Sequence, residues 1–145
     1  MIYAVIDTNV FVAALLSRHS DSATVLVVNA LLSCGICPLY NQEMINEYHD
    51  VLHRDKFHFP SESINAIINT VQKYGISAER VASAEHFPDP KDVVFYEVAL
   101  SKEDAYLVTG NKKHFPKTPI VVTPAEMMEI LQREKQQRIV NGPKG

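Results

Sequence analysis

An apolar run near the start of the chain, Ile2 to Ile6, ends abruptly in the acid Asp7. The run has the length and composition of a buried β-strand, so the acid would lie at the carboxyl end of that strand. In open α/β sheets, ligand crevices form outside the carboxyl ends of the strands. Asp7, Thr8 and Asn9 are therefore candidate site residues at the edge of a sheet.

Strand and helix signals alternate along the rest of the chain. The predicted helices are Asn9 to Ser17, Ser22 to Cys34, Asn41 to Leu52, Ser61 to Tyr74, Asp92 to Ser101, and a closing helix that begins at the capping box Thr123-Pro124-Ala125-Glu126. The predicted strands are Ile2 to Ile6, Ile36 to Tyr40, Ala105 to Thr109 and Ile120 to Val122, with a further short candidate at Arg80 to Ser83. This alternation predicts an α/β fold with a mostly parallel, helix-covered sheet.

Length and charge narrow the class of protein. The 145 residues fit one domain, which we expect to span residues 1–138, and residues 139–145 have the composition of a disordered tail. Fourteen Lys and Arg against seventeen Asp and Glu give a net charge of −3, so nucleic-acid binding would depend on a local basic patch. Neither a signal peptide nor a membrane-spanning run is evident, and we expect a cytoplasmic location.

The two cysteines, Cys34 and Cys37, follow a predicted helix. A reactive cysteine pair favours a helix amino terminus, where the dipole lowers the thiol pKa, so we interpret both as small apolar residues around a helix-ending Gly35. With His49 and His53 they approach a zinc-finger pattern. The central spacer of eleven residues is one shorter than usual, and zinc binding stays a minor alternative.

Glu47 lies at the margin of an apolar stripe on its predicted helix. The stripe consists of Met44, Ile45, Tyr48, Val51 and Leu52. A carboxylate at the rim of a crevice needs a cation or hydrogen bonds, so Glu47 is the acid of this helix best placed for a site. A solvated acid at a helix edge is the alternative that periodicity leaves open.

Two acids stand at the start of a helix that is apolar nearly all round. Asp92 is in its first turn, and Asp89 precedes it in a Pro-Asp-Pro turn. One such acid is ordinarily a helix cap, but two of them at the mouth of a buried helix favour a site. Glu97 falls on another side of the helix, where we expect it to be solvated.

A polar segment follows the predicted strand that ends at Thr109. Gly110 allows a tight exit from the strand, and Asn111 supplies a side-chain oxygen at the sheet edge. Lys112 and Lys113 would be exposed beside it, together with His114, and could hold phosphates. A simple Asn-containing turn is the alternative interpretation of Asn111.

These pieces together resemble the PIN domain family, metal-dependent nucleases that supply the toxins of many bacterial toxin–antitoxin pairs. The resemblance covers residues 2 to 131. It rests on Val5-Ile6-Asp7-Thr8-Asn9, Asn46-Glu47-Tyr48, Asp89-Pro90-Lys91-Asp92 followed by Ala99, and Leu107-Val108-Thr109-Gly110-Asn111. The order and spacing of these pieces carry the resemblance, since no piece is specific alone.

The resemblance implies a three-layer α/β/α sandwich and a role for each matched residue. Asp7, Glu47 and Asp92 match the three principal acids of the family, which bind the metal. The fourth, commonly acidic position is Asn111 here, so the catalytic set has one charge fewer, and Asp89 is a candidate to compensate as a further metal ligand. Mg²⁺ or Mn²⁺ prefers such oxygen ligands.

The resemblance also implies substrate and partners. We expect an endoribonuclease of single-stranded or looped RNA, whose backbone can bend into a crevice. The expected substrate-binding residues are Thr8, Asn9, Thr109, Lys112 and Lys113. A cognate antitoxin protein and a homo-oligomer, most simply a dimer, are the expected partners.

Two rival functions remain open. A noncatalytic RNA-binding or regulatory module would keep the fold but bind metal too weakly to cut, because of Asn111. A phosphotransfer domain would use Asp7 as a nucleophile, but its motif has a second Asp two residues later, where this chain has Asn9. Glycine-rich nucleotide-binding signatures do not occur in the sequence.

Overall fold

A computed structural model describes residues 1–141 and contains one five-stranded parallel sheet. Its strands are β1 (Ile2–Ile6), β2 (Ile36–Tyr40), β3 (Ile76–Ser77), β4 (Tyr106–Val108) and β5 (Val121–Val122). The spatial order is β3-β2-β1-β4-β5, and every neighbouring pair is parallel. The chain thus reverses its winding direction at β1, and the crevice of such a sheet forms there.

Six α-helices and one 3₁₀ turn connect the strands within the described residues. The helices are α1 (Thr8–Leu16), α2 (Ala23–Leu32), α3 (Gln42–Leu52), α4 (Ser61–Tyr74), α5 (Pro90–Ala99) and α6 (Pro124–Asn141), and the 3₁₀ turn spans Lys112–His114. Helix α5 packs on β1, β2 and β4, whereas α2 packs on α1, α4, α6 and β2. The predicted α/β fold with a parallel, helix-covered central sheet is confirmed.

The register of the sheet brings two strand ends together. Ile6 pairs with Val108, and the backbone N–H of Asp7 donates to the Val108 carbonyl over 2.9 Å. The central strand β1 is apolar and buried from Ala4 to Ile6, as expected for a strand covered on both faces. Asp7 and Thr109 therefore stand side by side where β1 and β4 end.

Most element boundaries lie within two residues of the sequence prediction, and three of the differences have a physical reason. The short strand forms at Ile76–Ser77, where it pairs with β2, and Arg80 to Ser83 lie in a loop. Helix α5 begins two residues early because Asp89 caps it, accepting from the Lys91 N–H over 3.0 Å. Helix α6 continues to Asn141, three residues into the predicted tail, since no helix-stopping residue precedes Gly142. The rest of that tail lies outside the described residues.

The prediction for the cysteines was wrong in two respects. Cys34 is exposed rather than an apolar filler, and Cys37 is only half-buried. The residue that leaves α2 in the left-handed conformation is Cys34, with φ 65°, not Gly35. Its N–H donates to the Leu31 carbonyl, and the Gly35 N–H to that of Ala30, so both end carbonyls are satisfied.

None of the helices in residues 1–141 has the length and apolar composition needed to cross a membrane.

Candidate functional site

Asp7 is a buried carboxylate at the end of the central strand. Only 7% of the residue is exposed, and its Oδ2 accepts a hydrogen bond from Thr109 Oγ1 over 2.8 Å. Burial, together with the charges of Asp92 and Glu47, raises the pKa of Asp7 to about 6, against the lowering effect of the Thr109 hydrogen bond. Among residues 1–141, no neighbouring cation stabilises the charge of this carboxylate.

Glu47 reaches the same edge from α3. That helix is amphipathic, with Asn41 as its cap, and Glu47 is half-buried at the margin of the apolar stripe, as predicted. Thr8 Oγ1 donates a hydrogen bond to Glu47 Oε2 and so ties the start of α1 to α3. The next residue, Tyr48, is fully buried and donates to the Ile6 carbonyl, which anchors the helix against β1.

Asp92 approaches from the first turn of α5. Its side chain is 16% exposed, and Oδ2 is buried without a hydrogen-bond partner among the described residues. His114 Nδ1 lies 3.4 Å from this oxygen, within ion-pair distance but without the alignment of a hydrogen bond. Burial raises the pKa of Asp92, as do the charges of Asp89 and Glu47.

Asn111 follows β4 and belongs to a short polar network. Its backbone N–H donates to Thr109 Oγ1 over 3.0 Å, so Thr109 links Asn111 to Asp7. Its Nδ2 lies 3.0 Å from His114 Nε2, and the same imidazole faces Asp92. The sequence indicated His114 only as an exposed neighbour, because nothing local shows that it bridges two site residues.

The remaining candidates take different positions. Asn9 Oδ1 accepts weakly from the Gly110 N–H over 3.4 Å, and so joins the two strand-end loops. Asp89 is exposed and engaged as the cap of α5, although its charge is felt at Asp92.

Lys112 and Lys113 are exposed beside the strand ends. Lys112 pairs with Glu126 over 3.1 Å. Both lysines, together with Lys117, line a surface cavity of about 560 Å³.

The donor set fits a hard divalent cation in its chemistry, although not as a finished cage. Within residues 1–141, no three His, Cys, Asp or Glu side chains stand close enough to hold a metal ion as they are placed. Burial, and after it repulsion from neighbouring acids, nevertheless raises the pKa of Asp7 and Asp92, and a buried oxygen of Asp92 has no hydrogen-bond partner among the described residues. A cation among them would remove the repulsion and satisfy that oxygen.

Comparison with known proteins gives one match. The family model described as PIN domain matches residues 3–113, which contain Asp7, Glu47, Asp92 and Asn111. Searches of curated proteins and of solved structures gave no significant match. Since the matched segment is most of the chain, this protein belongs to the PIN domain family, whose members are generally nucleases and typically use divalent metal ions.

Proposed function

We propose that this protein is a metal-dependent endoribonuclease that hydrolyses RNA phosphodiester bonds. The observation that carries the proposal is the uncompensated carboxylate cluster at the ends of β1 and β4. Asp7 and Asp92 are shielded from solvent and repelled by neighbouring acids, and within the described part of the chain only His114 beside Asp92 opposes the rise in pKa with a positive charge. Such an arrangement lowers stability and persists where a ligand offsets it.

Asp7, Glu47 and Asp92 are the residues that would hold Mg²⁺ or Mn²⁺, with Asn111 as a neutral fourth donor. When bound, the ion would lower the pKa of an attacking water and offset negative charge that builds up on the phosphate oxygens. Thr8 and Thr109 orient the carboxylates of Glu47 and Asp7 through hydrogen bonds. Asp89 would act on Asp92 through its charge, because its own carboxylate caps α5.

RNA is proposed as the substrate because a flexible single strand can bend towards a recessed edge. Lys113 and Lys112, exposed beside Asn111, would contact phosphates on either side of the cleaved bond. With a net charge of −3, the protein has no overall attraction for nucleic acid, so these local cations would supply the contact.

A toxin role is the proposed biological context. An antitoxin could cover the crevice and offer a basic side chain to the acids, since a guanidinium pairs well with carboxylates. Copurification of a small neighbouring-gene product that suppresses cleavage would support this role, as would a homodimer in solution. A chain that is harmless when expressed alone would contradict it without affecting the nuclease proposal.

The test is cleavage of a mixed RNA pool by the purified full chain with Mg²⁺ or Mn²⁺. Asp7→Asn and Asp92→Asn should reduce cleavage by about a hundredfold or more, since even outer partners of metal ligands cost 10- to 100-fold. Asp21→Asn is the matched control because Asp21 is exposed and distant from the strand ends. Undiminished cleavage in a chelator would refute the metal mechanism.

A noncatalytic RNA-binding module is the second candidate. It is favoured by the loose spacing of the acids and by the neutral Asn111, whose Nδ2 lies 3.0 Å from His114 Nε2. RNA binding that is unchanged by EDTA, together with the absence of cleavage at any metal concentration, would favour this function.

A further inference from the structure

Arg80 joins two helices through one guanidinium group. It lies in the loop that connects β3 to α5. Its Nε and Nη2 lie 2.8 Å and 2.7 Å from Glu97 Oε1 on α5, and its Nη1 lies 3.1 Å from Glu43 Oε2 on α3. The rigid fork of arginine can serve two carboxylates at once, which a lysine ammonium does less well.

Glu97 is the buried centre of this contact. Its side chain is 9% exposed, contrary to the solvated position expected from the helix pattern. Its Oε2 accepts from the Ser83 N–H over 2.7 Å, and its backbone carbonyl accepts from the Val81 N–H over 3.0 Å. Both carboxylate oxygens are therefore satisfied, and the loop is attached to α5 through side-chain and backbone bonds.

The two joined helices are those that carry site acids. Glu43 precedes Glu47 by four residues, one turn of α3, and Asp92 and Glu97 lie on the single short helix α5. We propose that Arg80 is a positioning residue that holds α3 and α5 at the separation at which Glu47 and Asp92 can share one divalent cation. The inference rests on the proposed function, because it assigns Arg80 a role in that same site.

An isolated surface ion pair would not hold two helices at a fixed separation. Exposed pairs contribute little and hold little geometry, and the Glu43 arm, 56% exposed, is of that kind. The Glu97 arm differs because its acceptor is buried and further fixed by the Ser83 amide. The network as a whole is anchored on α5 and extends to α3, so its loss should free α3 more than it unfolds either helix.

The experiment separates helix spacing from metal binding. Arg80→Met removes the charge but keeps a long apolar stem, Arg80→Lys keeps the charge without the fork, and Arg18→Met removes an exposed arginine of another loop as the control. Helix spacing is measured by electron–electron resonance between spin labels at His49→Cys and Lys91→Cys, in a Cys34→Ser, Cys37→Ser background. Mn²⁺ affinity is measured by calorimetry on the unlabelled full chain.

The expected result is a broader distance distribution and roughly tenfold weaker Mn²⁺ binding in Arg80→Met. Arg80→Lys should be intermediate, and the Arg18→Met control unchanged. An unaltered distribution in Arg80→Met overturns the inference, whatever the metal data. A broader distribution with unaltered Mn²⁺ affinity also overturns it, because the contact would then serve only the fold.

Failure of the proposed function is recognised separately. If the wild-type chain binds no Mn²⁺, the metal site is refuted. The role of Arg80 in cation sharing would then fall with the metal site, and a broader distance distribution in Arg80→Met would show only that Arg80 spaces the two helices for the fold.

Discussion

Asp7 and Glu97 are equally buried, each 7% exposed, but their surroundings act on them in opposite directions. Around Glu97, the Ser83 amide and the Arg80 guanidinium lower the pKa of the carboxyl. Around Asp7, burial and the charges of two further acids raise the pKa to about 6. The same fold thus pairs Glu97 with a cation, whereas Asp7 has no such partner among the described residues.

The difference shows how a structural acid can be told from a site acid. Burying a charge is unfavourable unless it is paired, and a protein that only needed stability would pair every acid that it buries. Glu97 is paired by residues of this chain, so its role is complete without a ligand. Asp7 at the end of β1 has no cation partner among the described residues, and a divalent cation is proposed to take that role.

The largest expected effect is on stability at Asp7. Its raised pKa means that the bound proton stabilises the folded state at low pH, and this contribution is lost as the pH rises through about 6. The shift from 3.8 to about 6 corresponds to about 3 kcal/mol. The Asn side chain is neutral and can still accept from Thr109. The free energy of unfolding of Asp7→Asn should therefore be about 3 kcal/mol higher than that of wild type at pH 7.5, so the variant is the more stable protein.

Urea unfolding in EDTA at pH 4 and pH 7.5 checks this. The gain should nearly vanish at pH 4, and the exposed Asp21→Asn control should change stability by less than about 0.5 kcal/mol at either pH. Excess Mn²⁺ should stabilise wild type but not Asp7→Asn. If Asp7→Asn is less stable than wild type at pH 7.5, the charge of Asp7 is not unfavourable in the folded state, and Asp7 does not differ from Glu97 in this respect.

Metal affinity should depend on pH through the same group. A carboxylate must lose its proton to bind a cation, and one unit below its pKa only about a tenth of Asp7 is ionised. Mn²⁺ binding should therefore be roughly tenfold weaker at pH 5 than at pH 7. Calorimetry across this range measures the effect, and an affinity independent of pH would show that Asp7 is not a ligand.

Glu97→Gln tests the acid that is paired with Arg80. Its effect on the free energy of unfolding should be opposite in sign to that of Asp7→Asn. Loss of the charge weakens the bonds from Arg80 and Ser83, and we expect a destabilisation of about 1 kcal/mol at pH 7, reduced by the partial exposure of Arg80. Because the pKa of Glu97 is lowered in the folded state from its ordinary value of 4.5, the loss should shrink as the pH falls below 4.5 and through the folded-state pKa. Thermal unfolding of wild type and Glu97→Gln at pH 7 and at a pH below 4.5 measures this loss of stability.

The smallest effect is expected at Asn111. Asn111→Asp restores the acidic fourth position, and the added charge should tighten Mg²⁺ and Mn²⁺ binding by about two- to fivefold, as for a partly exposed charge. Titration of both forms by calorimetry is the measurement. Identical affinities would mean that Asn111 serves only as a turn residue held by Thr109 and His114.

Local sequence signals were enough for much of the fold and for the polar residues that stand where the strands end. The Asn41 cap accepts from the Met44 N–H over 2.9 Å, and the Thr123 and Glu126 box closes with bonds of 2.9 Å and 3.1 Å. The apolar run before Asp7 forms a buried strand as predicted, and the structure places that strand at the centre of the sheet. These features depend on residues a few positions apart, and hydrophobic periodicity and capping chemistry report such interactions directly.

Only the tertiary structure decided which partners each carboxylate meets. Glu97 falls on a helix that is apolar nearly all round, so its partner could not be read from the pattern, and Arg80 lies 17 residues before it. Thr109 reaches Asp7 from 102 residues away, and Thr8 reaches Glu47 from 39. The sequence by itself determined which elements form and which acids stand at their ends. Whether a buried carboxylate meets a cation, a hydroxyl or another acid depends on the packing of distant segments, which local periodicity does not encode.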